Sequence, residues 1–228
     1  MQHLAIIPDG NRRWAKNHKL QSFMGHKKGM EAFDIAIKFC IKNNIKYLSV
    51  YTFSLENFKR TEKEKSYLFE LLINESKKKL PEFIKNEIRI KFIGNKNFFP
   101  KNVTPTINKL ENETKTFKKL NLNLLFCYSS KNEIVNATKA ISKKVKAGIL
   151  DPEEINEEKI KSFLWTGNIP DPDLIIRTSS RLRLSNFLLY QSAYSEYMFL
   201  DCYWPEITTT NLQECLDKFN QIKRNFGR

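Results

Sequence analysis

Short apolar runs alternate with longer amphipathic segments along the chain. The apolar runs end at glycine, proline, asparagine or charged residues, which is typical of buried strands in a sheet. Five such runs predict strands, and a sixth, aromatic stretch predicts a helical turn followed by a short strand. The predicted strands are 3–8, 45–53, 88–94, 122–128, one within 171–178 and one within 185–201.

The segments between these runs carry apolar residues three and four positions apart, which predicts helices. In the first of them Met30, Phe33 and Ile37 share one face. The TEKE pattern from Thr61 is a capping box, and it predicts a long helix that accommodates or ends at Pro81. The predicted helices are 25–43, 61 to about 82, about 103–118, 131–147, about 156–165, and a closing helix after residue 205.

Strands that alternate with helices favour right-handed crossovers and a mainly parallel sheet with helices on both faces. At 228 residues the chain has the length of one large α/β domain, so we expect a single domain over residues 1–228. In such sheets ligands bind beyond the carboxyl ends of the strands. Polar segments that follow strands are therefore expected to share one site.

The formal net charge of +14 changes this picture because it implies an anionic partner. Nucleic acid, a membrane surface or a phosphorylated small molecule would each fit.

No apolar run approaches the ~20 residues that span a bilayer, and the start lacks a signal-peptide pattern, so a cytoplasmic location is expected. The four cysteines form no CxxC pair, which favours reduced, mostly buried thiols over a zinc site or a disulfide framework.

The loop after the first strand, DGNRRWA at 9–15, has a composition suited to phosphate. Gly10 permits a tight turn, Asn11 can cap a helix, and Arg12 and Arg13 add positive charge beside backbone N–H groups. Asp9 would repel the same anion unless a divalent cation lay between them, so the loop suggests a metal-bridged diphosphate. The alternative is that Asp9 is a turn residue and the arginines face solvent.

Two further loops follow strands. Arg60 ends the loop after the second strand and can reach the same edge, while His26 either contacts phosphate or packs at a helix start. Trp14, Phe53 and Phe58 either flank an apolar substrate or pack in the core. The loop after the fifth strand suits a second diphosphate, or is simply a solvated basic loop. Its donors are Arg177, Ser179, Ser180, Arg181, Arg183 and Ser185.

Several common chemistries lack their motifs. The chain contains neither GxxxxGK[ST] nor GxGxxG, which argues against P-loop and dinucleotide enzymes. No ordered set of serine, histidine and acid predicts a covalent nucleophile. A reaction in which a diphosphate leaves with the help of a metal and arginines fits the residues that remain.

Several long motifs in order resemble the cis-prenyltransferases, and within that family the bacterial undecaprenyl diphosphate synthases. They are IIPDGNRRWAK, GHKKG, IKYLSVYTFSLENFKR, PDPDLIIRT, RLSNFLLYQSAYSEYMFLDCYWP and the terminal RNFG. The resemblance implies a homodimer with a mostly parallel sheet flanked by helices. It also implies that farnesyl diphosphate is extended in cis by isopentenyl diphosphate to undecaprenyl diphosphate, a precursor of the lipid carrier for cell-wall polysaccharide.

The same resemblance implies individual roles. Asp9 is the catalytic acid that holds Mg²⁺, Asn57 is the proposed proton acceptor, and Glu196 is the second metal-associated carboxylate. The residues implied at the allylic diphosphate are Gly10, Asn11, Arg12, Arg13, Trp14, Ser22 and His26. The wall beside the substrate is implied to be Ser54, Leu55, Glu56, Phe58 and Arg60. The isopentenyl diphosphate site is implied to be Arg177, Arg183, Leu184 and Ser185.

The chain also departs from the family's pattern. Arg12 stands where glycine is usual, and Ser22 stands where an arginine commonly contacts the allylic diphosphate, so Arg12 is expected to offset that loss. SLENF replaces Ser-Thr-Glu-Asn-Trp, TSSRLR replaces Thr-Gly-Gly-Glu-x-Arg, and YSSKNEI replaces Tyr-Gly-Gly-Arg. These changes put in question the movement and charge balance of the loop after the fifth strand.

Two alternatives belong to other classes. A non-catalytic accessory subunit of this family would lack the metal-binding acid, whereas Asp9 is present. A nucleic-acid-binding module fits the charge, but no RRM, KH or zinc-knuckle signature supports it, so no nucleic-acid partner is expected. The surplus charge is instead expected to attract diphosphates and an anionic membrane at the inner membrane surface.

An apolar tunnel is predicted between helix 25–43, the helix from 61 and the strand ends near 50–53.

Overall fold

Six strands form one wholly parallel sheet at the centre of the computed structural model, which describes residues 1–223. Their order across the sheet is β3-β4-β2-β1-β5-β6. The terminal RNFG motif lies outside the described residues. The strands are β1 (His3–Ile7), β2 (Tyr47–Ser54), β3 (Ile88–Ile93), β4 (Leu120–Tyr128), β5 (Leu174–Arg177) and β6 (Glu196–Phe199).

Seven α-helices are present in the described part of the chain, and the predicted helices are all among them. The helices are α1 (Asn11–Asn17), α2 (Ser22–Lys42), α3 (Glu62–Lys85), α4 (Thr104–Thr114), α5 (Ser130–Lys146), α6 (Glu157–Phe163) and α7 (Thr209–Gln221). Short 3-10 turns lie at Leu55–Lys59, Lys96–Phe98, Pro152–Glu154 and Trp204–Glu206. The helical turn predicted before β6 is wrong, because residues 185–194 form non-helical turns and bends.

The helix boundaries differ from the prediction in ways that have local causes. α3 continues through Pro81 to Lys85, and Thr61 caps it by accepting a hydrogen bond from the Glu64 N–H at 3.3 Å. α4 ends at Thr114, four residues before the predicted end, and the Thr114 hydroxyl there donates to the Leu110 carbonyl at 2.7 Å. Hydroxyl groups that bond backbone groups in this way compete with helix continuation.

The two faces of the sheet carry different cores. On one face Leu48, Val50 and Leu122 pack with α2, α3, α4 and α7 in the main core. On the other face Leu125 and Ile175 belong to a smaller cluster that the loop before β6 covers. Helices therefore flank the sheet of a single α/β domain, which confirms the predicted fold class.

The sheet order brings the predicted site loops to one edge. β1 pairs with β2 on one side and with β5 on the other, and Ile7 lies level with Arg177 in the ladder. The loops after β1, β2 and β5 therefore leave the sheet side by side at its carboxyl end, as expected for ligand sites in parallel sheets. All four cysteines are free, and three are buried. Among residues 1–223, no helix has the length and apolar character needed to cross a bilayer.

Candidate active site

An open, polar cleft of about 1280 Å³ lies at this carboxyl edge. Residues from the loops after β1, β2 and β5 line it together with the start of α2, as the sequence predicted. Fourteen of the predicted site residues line the cleft: Asp9, Gly10, Asn11, Arg12, Arg13, Ser22, His26, Ser54, Glu56, Asn57, Arg60, Arg177, Arg183 and Ser185.

The turn into α1 depends on Gly10. This residue is the N-cap of α1 and has a φ of 103°, and a Cβ atom here would lie 2.5 Å from Tyr203 Cδ1. The prediction that Asn11 caps the helix is wrong, because Asn11 is the first helical residue and its Nδ2 donates to the Pro8 carbonyl at 3.1 Å. The glycine is required both by its backbone conformation and by the close approach of Tyr203.

Asp9 lies between two arginines. Its Oδ2 accepts from Arg177 Nη2 at 2.8 Å, while its Oδ1 accepts from the Gly10 N–H at 2.7 Å and lies 3.2 Å from Arg13 Nη2. Burial raises the pKa of Asp9, but the hydrogen bond and charge of Arg177 and the charge of Arg13 outweigh it and hold the pKa below its usual value. Asp9 is therefore an ionised carboxylate at neutral pH.

Arg177 is fixed by the loop that follows β5. Its Nη1 donates to the Arg183 carbonyl and, at 2.8 Å, to Ser185 Oγ, and the residue is only 4% exposed. Two of the serines that replace the family's glycines, Ser179 and Ser180, have φ values of 77° and 56°. They hold a left-handed conformation that glycine adopts more readily, so this loop carries backbone strain.

Hydrogen bonds hold the strained serines in place. Arg13 Nη2 donates to Ser179 Oγ at 2.5 Å, and Ser180 Oγ donates to Asp201 Oδ1 at 2.8 Å. The substitution of glycine by serine therefore adds partners that link the loop after β5 to α1 and to the loop after β6. These contacts bear on the movement of this loop, which the sequence had put in question.

The 3-10 turn at Leu55–Lys59 presents Glu56 and Asn57 to the cleft. Asn57 Oδ1 accepts from the Ser54 N–H at 3.1 Å, and this contact closes a capping box for the turn. Glu56 Oε1 accepts from Asn186 Nδ2 at 2.8 Å, so the loops after β2 and β5 are tied together across the cleft. The proton-acceptor role of Asn57 stays a prediction, and its side-chain oxygen is engaged in holding the turn.

Glu64 of α3 organises a second group of charges at the cleft. Arg60 Nη1 donates to Glu64 Oε1 at 2.9 Å, Arg12 Nε lies 3.9 Å from the same oxygen, and His26 Nε2 lies 4.0 Å from it. Burial lowers the pKa of His26 to about 4, with help from the charges of Arg60 and Arg12. His26 is therefore an uncharged imidazole at pH 7.

An apolar cavity of about 150 Å³ continues from the cleft into the main core. Pro8, Asn11, His26 and Thr52 line both spaces and form the throat between them. This position agrees with the tunnel predicted between the first two long helices and the end of β2. The apolar side chains around it include Met30, Phe33, Val50, Phe53, Leu68, Phe69 and Leu72.

Four of the residues implied at the substrate do not line the cleft. Trp14 stacks on His18 with ring centroids 4.2 Å apart. Leu55 and Phe58 pack against the main core, and Leu184 packs against the smaller cluster on the opposite face of the sheet. The structure gives these four side chains packing contacts, and their contact with substrate stays a prediction.

Glu196 is also not brought to the cleft within this chain. It begins β6 and lies level with Leu174 in the ladder, whereas Arg177 lies level with Phe199. Three strand positions separate the two levels by roughly 10 Å, at 3.3 Å per residue. The role of Glu196 as the second metal-associated carboxylate therefore stays a prediction, because Glu196 lies toward the amino end of its strand and does not line the cleft of this chain. Within residues 1–223, no cluster of three histidine, cysteine or acidic side chains could hold a metal ion.

Buried polar atoms without a partner concentrate at this site. Four such side-chain atoms occur in the described part of the chain, and three belong to Asn11 (Oδ1), His26 (Nε2) and Arg177 (Nε). The fourth is Gln191 Oε1, which lies away from the cleft lining. Because buried polar groups are normally paired, this concentration points to a ligand with polar groups at the cleft and throat.

Several residues at the site were not predicted. Lys16, Lys19 and Lys131 add positive charge to the cleft lining, and Asn186 joins the loops across it. Lys131 could have been identified, because it follows the fourth predicted strand and so belongs to the same edge. Glu64 was predicted only as part of the capping-box pattern, whereas its side chain binds Arg60 and lies near Arg12 and His26.

Together these features define a class of protein: a parallel α/β domain whose arginine-rich cleft opens into an apolar cavity, a shape suited to a molecule with an anionic head and a hydrocarbon tail. Residues 7–227 match the family model described as "Putative undecaprenyl diphosphate synthase". The chain belongs to the cis-prenyltransferase family, and it is a transferase that elongates prenyl chains.

Similar proteins support this assignment over the full length. A protein of Thermoplasma acidophilum, named a tritrans,polycis-undecaprenyl-diphosphate synthase (geranylgeranyl-diphosphate specific), is 41% identical over 229 residues, covering 100% of this chain and 89% of the relative. An isoprenyl transferase of Bacillus anthracis is 40% identical, covering 99% of this chain and 88% of the relative.

Two solved structures share the fold. Lavandulyl diphosphate synthase from Lavandula x intermedia, solved with dimethylallyl diphosphate, superposes with a TM-score of 0.96 at 30% identity, covering 100% of this chain and 98% of the other. A probable undecaprenyl diphosphate synthase from Campylobacter jejuni gives a TM-score of 0.82 at 30% identity, covering 100% and 99%. The predicted family and enzyme class are confirmed.

Proposed function

We propose that the protein extends farnesyl diphosphate with successive isopentenyl diphosphates, each added in cis, to give undecaprenyl diphosphate. The observation that carries the proposal is the continuity between the polar cleft and the apolar cavity through the throat. A diphosphate head and a prenyl tail have these two chemistries in the same order. The family membership supports the same reading.

The cleft residues suit two diphosphates. Backbone N–H groups at the start of α1, with Arg12 and Arg13, would bind the allylic diphosphate beside the throat. Arg177, with its unpartnered Nε, and Arg183 would bind isopentenyl diphosphate on the other side of Asp9. Two substrates held side by side at one strand edge react as an effectively unimolecular pair.

Mg²⁺ is the proposed cofactor, and the residues present fit it. Mg²⁺ is commonly held by one or two carboxylates together with substrate phosphates, and Asp9 supplies an ionised carboxylate among arginines that would face those phosphates. Asp9 would hold the ion. The chemistry supplied by bound Mg²⁺ is neutralisation of charge on the diphosphate oxygens.

The proposed reaction breaks the allylic C1–O bond and forms a bond between that carbon and the terminal alkene carbon of isopentenyl diphosphate. Arg13 and its neighbours stabilise the charge that develops on the departing diphosphate. Bond formation leaves positive charge on C3 of the isopentenyl unit, and loss of a proton from C2 then forms the new C2=C3 double bond. An amide is a weak base and Asn57 Oδ1 is already engaged, so we assign the proton to a diphosphate oxygen or water that Asn57 positions.

The oligomeric state, the location and the membrane contact of the protein are part of the same proposal. A homodimer in the cytoplasm is proposed from the family pattern, and light scattering would measure its mass. The net charge of +14 supports a peripheral contact with anionic lipid, into which a long product would pass. The product is proposed to serve as a lipid-carrier precursor for cell-wall polysaccharide. If the protein does not bind anionic vesicles at physiological salt, the proposed membrane contact is rejected.

The test is incubation of the purified protein with farnesyl diphosphate, labelled isopentenyl diphosphate and Mg²⁺, followed by sizing of the extracted lipid. We expect incorporation and a long product. A parallel incubation with geranylgeranyl diphosphate tests the other starter, which the Thermoplasma relative's name indicates. No incorporation with either starter would reject the enzyme and favour an accessory subunit. A shorter product would reject only the undecaprenyl assignment.

A further inference from the structure

The side chain of Asn186 joins three loops at the carboxyl edge of the sheet. Its Nδ2 donates to Glu56 Oε1 at 2.8 Å, on the 3-10 turn after β2, and to Ser129 Oγ at 2.6 Å, at the end of β4. Its Oδ1 accepts from the Lys131 N–H at 2.9 Å, in the first turn of α5. A primary amide offers two N–H donors and one carbonyl oxygen. All three groups of this amide are therefore engaged in bonds to other loops.

The backbone around Asn186 needs such a hold. Asn186 has a φ of 67°, and its neighbours Ser185 and Leu188 have φ values of 51° and 45°. Asparagine enters this left-handed region more readily than most residues, whereas a leucine there is strained. The Asn186 carbonyl also accepts from the Ser130 N–H at 3.0 Å. The strained segment persists because its surroundings over-determine it, and Asn186 supplies most of those bonds.

The segment that Asn186 holds carries part of the proposed isopentenyl diphosphate site. Ser185 Oγ, one residue away, accepts from Arg177 Nη1 at 2.8 Å, and the Arg183 carbonyl accepts from the same nitrogen. The Tyr51 hydroxyl donates to the Ser185 carbonyl at 3.4 Å. Arg177 keeps its Nε without a partner. The direction in which this guanidinium faces a ligand therefore depends on where the held segment lies.

The bond to Glu56 extends the hold to another wall of the cleft. Glu56 lies on the same 3-10 turn as Asn57, and both residues line the cleft. Because Glu56 accepts from Asn186, this turn and the loop after β5 are fixed relative to each other. In the proposed reaction the alkene of isopentenyl diphosphate must be aligned with the allylic carbon between these walls. Alignment of this kind lowers the barrier to bond formation.

We propose that Asn186 is a positioning residue that aligns isopentenyl diphosphate, by holding the loop after β5 against the 3-10 turn and the start of α5. This inference rests on the proposed function. Asn186 acts through Ser185, Arg177 and Glu56, because its own amide is fully engaged. The site proposed for the allylic diphosphate lies at the start of α1, outside the loops that Asn186 joins. The two substrates therefore respond differently to its loss.

The test is the steady-state kinetics of Asn186→Ala, with farnesyl diphosphate and isopentenyl diphosphate varied in turn at fixed Mg²⁺. We expect the KM for isopentenyl diphosphate to rise about tenfold and kcat to fall about tenfold, the effect of losing one or two hydrogen bonds. The KM for farnesyl diphosphate should stay within about twofold of wild type. Equal rises in both KM values, or no change in either KM or in kcat, would overturn the inference.

Two further variants separate the side-chain bonds from backbone strain. Asn186→Gly adopts the left-handed conformation freely but lacks the amide, so it should show the same kinetic changes as Asn186→Ala. It also replaces the alanine variant if that one does not fold. Asn44→Ala is the matched control, because Asn44 has a φ of 55° and is exposed at the amino edge of the sheet, just before β2. It should keep all three constants. Wild-type kinetics in Asn186→Gly would overturn the inference.

A double-variant cycle tests the bond across the cleft. If Asn186 acts in part through Glu56, the combined variant Glu56→Ala/Asn186→Ala loses less than the product of the two single losses in kcat/KM, because the shared bond is lost only once. Losses that multiply fully would contradict the link to Glu56. Failure of the proposed function gives a different result, because the wild type itself would then incorporate no isopentenyl diphosphate.

Discussion

The polar cleft and the apolar cavity meet at four shared residues but are built differently. The cleft is made by loops that leave adjacent strands, and its side chains are fixed by hydrogen bonds such as those of Asp9 and Arg177. The cavity is made by the packed faces of α2 and α3 and the end of β2, and most of its lining side chains are apolar. The difference assigns chemistry to the cleft and chain length to the cavity.

The largest expected effect is in the cleft, at Asp9. Asp9→Asn keeps the shape of the side chain but removes the charge that would hold Mg²⁺ between Arg13 and Arg177. We expect turnover to fall about 100- to 1000-fold, the range seen when one charge-stabilising group is removed from an active site. The measurement is kcat with farnesyl diphosphate, isopentenyl diphosphate and Mg²⁺, with the fold checked by circular dichroism.

Asp217→Asn, on the exposed face of α7, is the matched control and is expected to keep full activity. Turnover of Asp9→Asn within tenfold of wild type would break the assignment of chemistry to the cleft.

The next effect is on stability and concerns the throat. His26 has a pKa of about 4 in the folded protein, against an ordinary value of 6.5, because it is buried beside arginines. The unfolded chain binds the proton more readily, so the stabilisation that neutral His26 contributes is complete above pH 6.5 and is lost as the pH falls toward 4. The loss is at most about 3 kcal/mol.

Denaturant unfolding at pH 7, 5.5 and 4.5 measures this loss, and His26→Gln should reduce the slope in that window. His18→Gln, at an exposed position on the Trp14 ring, is the control and should leave the slope as in the wild type. An unchanged slope in His26→Gln would show that the throat does not bury a neutral imidazole. His3, also with a pKa of about 4, contributes to the slope of every variant.

A third effect tests the cavity alone. Leu72→Trp adds bulk to the cavity wall, at an expected cost of about 1–3 kcal/mol in stability. We expect shorter products with a KM for isopentenyl diphosphate within about twofold of wild type, since steric fit in the cavity differs from diphosphate binding in the cleft. Extracted lipids are sized by mass spectrometry. A raised KM with unchanged product length would contradict the division between the two regions.

The smallest effect is expected at Ser22, which lines the cleft at the first turn of α2. Ser22→Arg restores a charge that the family commonly places there. We expect the KM for the allylic diphosphate to fall by at most about fivefold, the effect of one exposed charge pair, because Arg12 already supplies positive charge nearby. Ser22→Gln is the neutral control. An unchanged KM in Ser22→Arg would show that the missing contact has no consequence.

The cleft could be predicted from sequence to a large extent because its information is local. Asp9, Gly10 and Arg13 lie immediately after a strand along the chain. A parallel sheet brings the loops that follow its strands to one edge, whatever the details of packing. The resemblance supplied the remaining roles. It could not say where Glu196 lies relative to the cleft, because a motif gives an order along the chain and not a level in the ladder.

Contacts between distant residues were beyond prediction. Glu64 reaches Arg12 and His26 only because α1, α2 and α3 converge at the throat, and no spacing in the sequence reports that convergence. The tunnel was predicted from two apolar helix faces, but the ion pair between Lys79 of α3 and Asp34 of α2 joins residues 45 positions apart and depends on how those helices are rotated. Packing decides such contacts, and periodicity alone does not.

The most direct test of the account is photo-crosslinking with a farnesyl diphosphate analogue that carries a diazirine at the end of its tail. With the head in the cleft and the tail in the cavity, mass spectrometry should find the label on peptides of α2 and α3 that contain Met30, Phe33 or Leu72. Excess inorganic diphosphate should reduce the labelling by competing for the arginines. Labelling confined to peptides that line neither the cleft nor the cavity would contradict the account.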